Sequence, residues 1–283
     1  MAPPLLRRSR LRAAALPCLP WLLLLAASAR GALALNPPSP PPSVSAPLVS
    51  ASSVQHSWTV SGSSWTDGGA SPITATLYGG VTVLAGTGLR FPGTSGSYAC
   101  MPALPLGGSD TTIAVWAYYS AWSQGGRVFD LGVGNSGSQC TAGDTSNYVQ
   151  NCMPSSGTSM RVEISNSGSY VNNAAPLWAL NTWTHVVVSI KLSTSLTTYV
   201  NGASQSSLSW TNNQAQFALL NTARPFYSAF LGKSQYSADP YFPGLIAAFQ
   251  TYGYALSASQ VCLLSAAHQH DLCRMIFIRS DRT

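Results

Sequence analysis

Residues 181–205 read NTWTHVVVSIKLSTSLTTYVNGASQ, and their alternation decides what they build. In an extended chain Val186, Val188 and Ile190 fall on one face while Trp183, His185 and Val187 fall on the other. Both faces are partly apolar, so the strand belongs inside a sheet whose outer side is also partly covered. A second run, LTTYV, ends at Asn201-Gly202, a pair that supplies the positive φ angles of a tight hairpin turn.

The same pattern continues in both directions. Short apolar runs recur between Gly, Asn and Ser clusters: HSWTV, ITATLY, TTIAVWAYYS, RVFDLG, SMRVEIS, AFLG and LIAAFQTY. No helix-length periodic stretch occurs before SASQVCLLSAA at 257–267. This spacing predicts an all-β sandwich or barrel. No linker divides residues 54–265, which are read as one domain. Charged residues make up only 8% of the chain, so Ser, Thr, Asn and Gln must finish its surface.

Ahead of the domain, MAPPLLRRSRLR places four arginines before the apolar run AAALPCLPWLLLLAASA, followed by two small-residue cleavage candidates, Ala27-Ser28-Ala29 and Ala32-Leu33-Ala34. Residues 1–34 are read as a secretory signal peptide. The run is interrupted by Pro17 and Pro20 and is short for a membrane span, so no stable membrane insertion is expected after cleavage. The segment carries five of the fourteen basic residues and none of the eight acidic ones, leaving nine basic against eight acidic groups. No basic stripe then remains to neutralise phosphates, which excludes nucleic acid as a partner.

Residues 35–53 are a Pro/Ser-rich linker favouring an extended polyproline II spacer. The run Ser39 to Pro42 resembles the hydroxyproline-rich spacers of plant and green-algal wall glycoproteins, which implies hydroxylation and O-glycosylation there; a plain linker is the alternative. Residues 266–283 form a C-terminal tail. Cys100, Cys140, Cys152, Cys262 and Cys273 would remain in a compartment that permits disulfides. The expected pairs are Cys140 with Cys152 across a surface loop and Cys262 with Cys273 at the C-terminus, with Cys100–Cys262 as the rival.

An ordered series carries a resemblance: Trp183-Thr-His185-Val-Val, Tyr199-Val-Asn201-Gly202, Leu231-Gly232-Lys233-Ser234, Phe242-Pro-Gly244-Leu-Ile246, then Tyr254-Ala-Leu256-Ser257 before a short helix. It resembles the laminin G-like, or concanavalin A-like, lectin/glucanase domain, and its end is similar to the pentraxins. The resemblance implies a jelly-roll β-sandwich of two antiparallel sheets with one short C-terminal helix, taking ligands on the concave sheet or the rim loops. One departure stands out: Ala247 and Ala248 occupy positions where the family often carries an acidic residue.

Glycoside hydrolysis needs two carboxylates across the scissile bond. The chain has a single glutamate, Glu163, and lacks the Glu-x-Asp-x-Glu pattern of glucanases of this fold; only a convergence of aspartates in space would supply a second acid. It also lacks a Gly-x-Ser-x-Gly elbow and a His-Glu-x-x-His helix. In the tail, His268, His270, Asp271 and Cys273 match no defined zinc spacing. No cofactor is required. Calcium is a candidate, seated at the rim by Asn135, Asp144 and Asn147 from one loop and Asp239 from another, although the same residues also serve turns. Sugar recognition requires planar rings beside amides and hydroxyls, and Trp122, Trp178, Trp210, Tyr236 and Tyr241 fall in or beside expected loops. Trp116 and Trp183 are assigned to the interior and His185 to support.

These features predict a secreted, non-enzymatic recognition module that binds carbohydrate or glycoprotein in an extracellular matrix or cell wall. The rivals are a protein-protein adhesion module and a polysaccharide hydrolase or lyase.

Overall fold

The structure, a computed structural model, describes residues 54–152, 159–176 and 178–266. Their strands run in chain order β1 (Val54–Ser61), β2 (Ser64–Asp67), β3 (Thr76–Tyr78), β4 (Thr82–Leu84), β5 (Gly88–Pro92), β6 (Tyr98–Cys100), β7 (Leu104–Leu106), β8 (Thr111–Tyr119), β9 (Arg127–Gly132), β10 (Tyr148–Cys152), β11 (Ser159–Asn166), β12 (Ser169–Pro176), β13 (Trp183–Lys191), β14 (Ser195–Val200), β15 (Ala203–Ser209), β16 (Arg224–Phe226), β17 (Ser228–Leu231) and β18 (Pro243–Tyr252).

They form two large antiparallel sheets. The back sheet has nine strands, ordered β15-β14-β13-β8-β18-β1-β2, with β5 also on β18 and β4 on β5. The front sheet has seven, ordered β12-β11-β10-β9-β17-β6-β3. A small β7–β16 ladder completes the set. This is the expected all-β jelly-roll sandwich.

Alternation sorts the two faces as the residues dictate. Val186, Val188 and Ile190 of β13 join Ile113 and Val115 of β8 and Phe249 of β18 in one buried cluster with Phe129 and Leu131 of β9, Val149 of β10 and Ile164 of β11. Phe129 and Phe249 meet across the sandwich, edge to face, with centroids 6.0 Å apart. Burying each such side chain contributes about 1.5–3 kcal/mol. The outward residues of the back sheet, among them Ala114, Val187, Tyr199 and Tyr252, are buried in a second cluster with Leu256 and with Val261 of the terminal helix, Ala258–Ala266.

The β14–β15 hairpin turns at Asn201 (φ 50°) and Gly202 (φ 84°), as its sequence requires. The Asn201 side chain accepts the His185 backbone N–H at 2.9 Å, tying the turn to β13. A Cβ on Gly202 would lie 3.1 Å from Ser265 Cβ and 3.4 Å from Cys262 Cα, so this turn also needs glycine for the helix to pass.

The cysteine pairing departs from expectation. Cys140 is bonded to Cys100, forty residues away, and not to Cys152; the rival Cys100–Cys262 is excluded by the same bond. The loop after β9 does not pinch on itself but folds back across the front sheet. Cys140 N–H donates to Tyr227 O at 3.1 Å, Tyr98 Oη donates to Cys140 O at 2.9 Å, and Ser228 Oγ donates to Ala142 O at 2.6 Å. These contacts bring Cys140 over β6, where Cys100 waits. Cys262 is disulfide-bonded; Cys273 lies outside the described residues, as do the signal, linker and tail assignments for 1–53 and 267–283.

Candidate functional site

The outward face of the front sheet carries the site. Register places Asn172, Glu163, Gln150, Asp130, Phe230, Cys100 and Thr76 side by side on successive strands. Five of these seven residues are polar, and five are buried. Gln150 and Asp130 are fully buried and Glu163 is 3% exposed, so each must find a partner inside the protein.

Arg127 is the hub. Its guanidinium donates to Gln150 Oε1 and to the Gly125 carbonyl, and to Asp239 Oδ2 at 2.9 Å, and its Nε stands 3.5 Å from Asp130 Oδ2. Gln150 passes the chain on, donating to Glu163 Oε1 at 2.7 Å. Tyr148 Oη donates to the same oxygen at 2.6 Å. Arg161 Nε lies 3.5 Å from Glu163 Oε2. Two guanidiniums are thus matched by carboxylates within one connected network, a geometry that makes charge-assisted bonds strong and directional.

A loop closes over part of the face. Gln235 donates its backbone N–H to Asp130 Oδ2 at 3.0 Å, its amide Nε2 to Asp130 O at 2.7 Å and to Ser228 O at 2.8 Å, and accepts Asp144 N–H at 2.7 Å. It can lie this close because two neighbours are glycines: a Cβ on Gly132 would fall 2.4 Å from Gln235 Oε1, and one on Gly143 would fall 2.0 Å from Gln235 O. Asp130 is sealed beneath this lid. Burial pushes its carboxyl up to about 7, against the opposing pull of Arg127 and the Gln235 bonds, while Glu163 adds to the rise. Burial, then the bonds to Glu163 and Tyr236, push the Tyr148 phenol well above its usual range.

Beside the lid opens a cleft of about 330 Å³, lined by Gly125, Arg127, Tyr148, Arg161, Glu163, Tyr170, Tyr236 and Asp239. Tyr170 is 58% exposed and Tyr236 40% exposed; with Trp122 they are the exposed large hydrophobic side chains of the described residues. Tyr236 Oη donates to Thr145 O at 3.2 Å, which fixes that wall. Two accessible rings therefore line a cleft in which Arg127 and Arg161 are balanced by Glu163 and Asp239.

Among the ring candidates, Tyr236 is in this cleft. Tyr241 is half-buried, near Tyr98. Trp122 is exposed but leans on Tyr119, 5.8 Å between centroids, away from the cleft lining. Trp178 and Trp210 are corrected outright: at 4% and 9% exposure both belong to the core. Trp178 meets Tyr119 edge to face and Trp210 stacks on Phe217 at 4.6 Å, because loops at the ends of a sandwich turn their rings inward to plug it. Arg127, Tyr148, Arg161, Glu163 and Tyr170 were missed as site residues. For Tyr148, Arg161 and Glu163 the signal was polar residues two apart in YVQNC and SMRVEIS, a polar stripe on otherwise apolar strands; Arg127 and Asp130 are three apart in RVFDLG and share the face only through a register shift between β9 and β10, and Tyr170 lies in none of these runs.

Each of the four calcium candidates is engaged in hydrogen bonds or an ion pair within its loops. Asp144 accepts N–H groups from Gly134, Ser146 and Asn147, Asn147 Oδ1 accepts Ser167 N–H at 3.0 Å, Asn135 Oδ1 accepts Ser138 Oγ at 2.9 Å, and Asp239 is held by Arg127 and Ser234. Their oxygens organise the loops. Among the described residues no group of three or more His, Cys, Asp or Glu side chains could hold a metal ion.

Two large antiparallel sheets packed as a jelly-roll sandwich, with a short helix near the C-terminal end of the described residues, define the class of fold. The family model for the concanavalin A-like lectin/glucanases superfamily matches residues 92–262, and the chain belongs to that superfamily. Among solved structures, it is similar to domain 4 of AbnA, a GH43 extracellular arabinanase from Geobacillus stearothermophilus, in complex with arabinotriose. The TM-score is 0.54 at 18% identity over 75% of this chain and 98% of that one. The binding domain of Paraclostridial Mosquitocidal Protein 1 matches with a TM-score of 0.57 at 14% identity, and the botulinum neurotoxin serotype D binding domain with 0.55 at 11%; the chain covers 52% of each. A search of curated proteins finds no match. No helix among the described residues is long and apolar enough to cross a membrane.

Proposed function

We propose that this chain is a secreted, non-enzymatic recognition module whose front-sheet cleft binds carbohydrate, free or on a glycoprotein, in a matrix or cell wall. The observation that carries this is the pair of accessible rings, Tyr170 and Tyr236, that line one cleft together with the charge-balanced set Arg127, Arg161, Glu163 and Asp239. Rings of this kind stack on sugar faces, and the partly exposed Arg161 guanidinium and Asp239 carboxylate offer hydrogen bonds to hydroxyls. A floor without net charge suits a neutral oligosaccharide. The arabinotriose held by the domain 4 neighbour is of that class.

Acidic residues do converge here, which is the arrangement a hydrolase would need. Their environment argues for binding instead. Asp130 is sealed under Gln235 and does not line the cleft, while Glu163 and Asp239, which do, are each engaged by an arginine. No pair of carboxylates is left to flank a scissile bond with one proton and one charge between them. Binding is taken to proceed without calcium. A glycan array on the chain, run in calcium and in EDTA and including arabinotriose, tests the proposal: retention of neutral oligosaccharides under both conditions is expected. Release of reducing ends from a wall polysaccharide, abolished by Glu163→Gln, would overturn it. Binding that survives enzymatic deglycosylation of a captured glycoprotein would instead favour protein-protein adhesion.

A further inference from the structure

A second feature lies across the lid from the cleft, on the β17–β6–β3 side of the front sheet. Tyr78 and Tyr98 are directly opposite each other in register and stack at 4.3 Å, nearly parallel. Phe230 meets Tyr98 edge to face at 5.5 Å, and the Cys100–Cys140 bond backs the group. Lys233, the first residue of the lid, places its ammonium 4.0 Å from the Phe230 centroid and 4.9 Å from that of Tyr98.

This cation differs from the two arginines of the cleft. Among the described residues Lys233 forms no hydrogen bond and no ion pair, whereas Arg127 and Arg161 are each matched by carboxylates. Asp130 is the acid that acts on it electrostatically, but that group is sealed beneath Gln235. Ring faces attract an ammonium yet accept none of its three N–H bonds in line, so a half-buried Lys233 keeps donors without acceptors. Burial correspondingly pulls its pKa down, with Asp130 pulling the other way. The rings hold the ammonium in place, and its N–H donors are left for water or for the oxygens of a ligand.

We propose that Lys233, with the Tyr78–Tyr98 stack, forms an anion subsite for sugars carrying an acid group, a carboxylate or a sulfate ester. The ammonium takes the acid oxygens and the stacked tyrosines carry the sugar ring. The subsite is distinct from the cleft and does not depend on the cleft binding neutral sugar. It would let the front face take a ligand with a charged residue on one side of the lid and neutral residues on the other.

The test is isothermal titration of the full chain with trigalacturonate, with galactose 6-sulfate and with neutral galactotriose. The wild type is expected to hold at least one of the two anions about tenfold tighter than galactotriose, the equivalent of one charge-assisted hydrogen bond. Preference for only one of them identifies the acid group. Lys233→Met should erase that preference, Lys233→Arg should keep part of it, and Tyr170→Ala should leave it intact. Should Lys233→Met fail to fold, as judged by near-UV circular dichroism, Lys233→Gln replaces it. A wild type that does not prefer either anion, or a Lys233 variant that keeps the full preference, overturns the subsite; loss in Tyr170→Ala alone would assign the anion to the cleft.

Discussion

The two outward faces of the sandwich start from similar material and end differently. On the back sheet, Trp116 stacks on His185 with centroids 4.6 Å apart, Tyr118 tilts against Trp183, and His185 Nδ1 pairs with Ser265 Oγ of the terminal helix at 2.6 Å. All are under 10% exposed. The front sheet instead carries buried charges under a partial lid and leaves tyrosines in the open. Aromatic content does not separate a covered face from an open one. What separates them is whether the polar groups beneath are closed off by neighbours or reach an open cleft.

The strongest way to break the contrast is to cut the staple that holds the loop after β9 onto the front sheet. Replacing Cys100 and Cys140 by Ala should cost about 4 kcal/mol for a loop of this length. Because that loop also supplies Thr145 to the Tyr236 wall, denaturant midpoint and oligosaccharide affinity should fall together. Next, Gly202→Val on the back sheet forces a β-branched residue into positive φ and against Ser265, an expected loss on the order of 1–3 kcal/mol. Here the melting temperature should drop while the folded protein keeps its affinity; a loss of affinity in fully folded protein would place the hairpin in the site.

Smaller effects sharpen the front face. Tyr170→Ala and Tyr236→Ala should each remove about 1 kcal/mol of ring stacking, a five- to tenfold loss for an oligosaccharide retained on the array, with little change in melting temperature. An unchanged affinity in both would remove the cleft from the recognition surface. The last effect is a slope. Asp130 is raised in the folded chain to about 7 from 3.8, so its contribution to stability is full below the unfolded value and is lost as pH rises through about 7. Asp67 runs the opposite way: burial raises it, but His56 and the N–H groups of Ser57, Ile73 and Gly69 outweigh burial and hold it low. Its contribution is present above 3.8 and is lost in acid. Urea titrations from pH 4 to 8 should show Asp130→Asn flattening the fall in stability between 3.8 and about 7 and Asp67→Asn leaving that range unchanged.

Much of the fold was legible because local rules govern it. Period-two alternation in THVVVSIK placed Val186 in the core and Val187 outside, and Asn201-Gly202 set its turn without reference to anything distant. The site was less legible. Tyr236 was found by its loop setting, but Trp178 and Trp210 share that setting and point inward. Glu163 looked isolated along the chain, although register puts Gln150 beside it and Asp130 one strand further.

The sequence by itself therefore determined the strand pattern, the sandwich class and the hairpin turn, because each rests on neighbours within a few residues. Only the tertiary structure decided that Cys140 meets Cys100, that Gln235 seals Asp130, and that Arg127, Glu163 and Tyr170 share one cleft. Those contacts join residues tens of positions apart, and they follow from sheet order and loop packing, which alternation along a single strand does not encode.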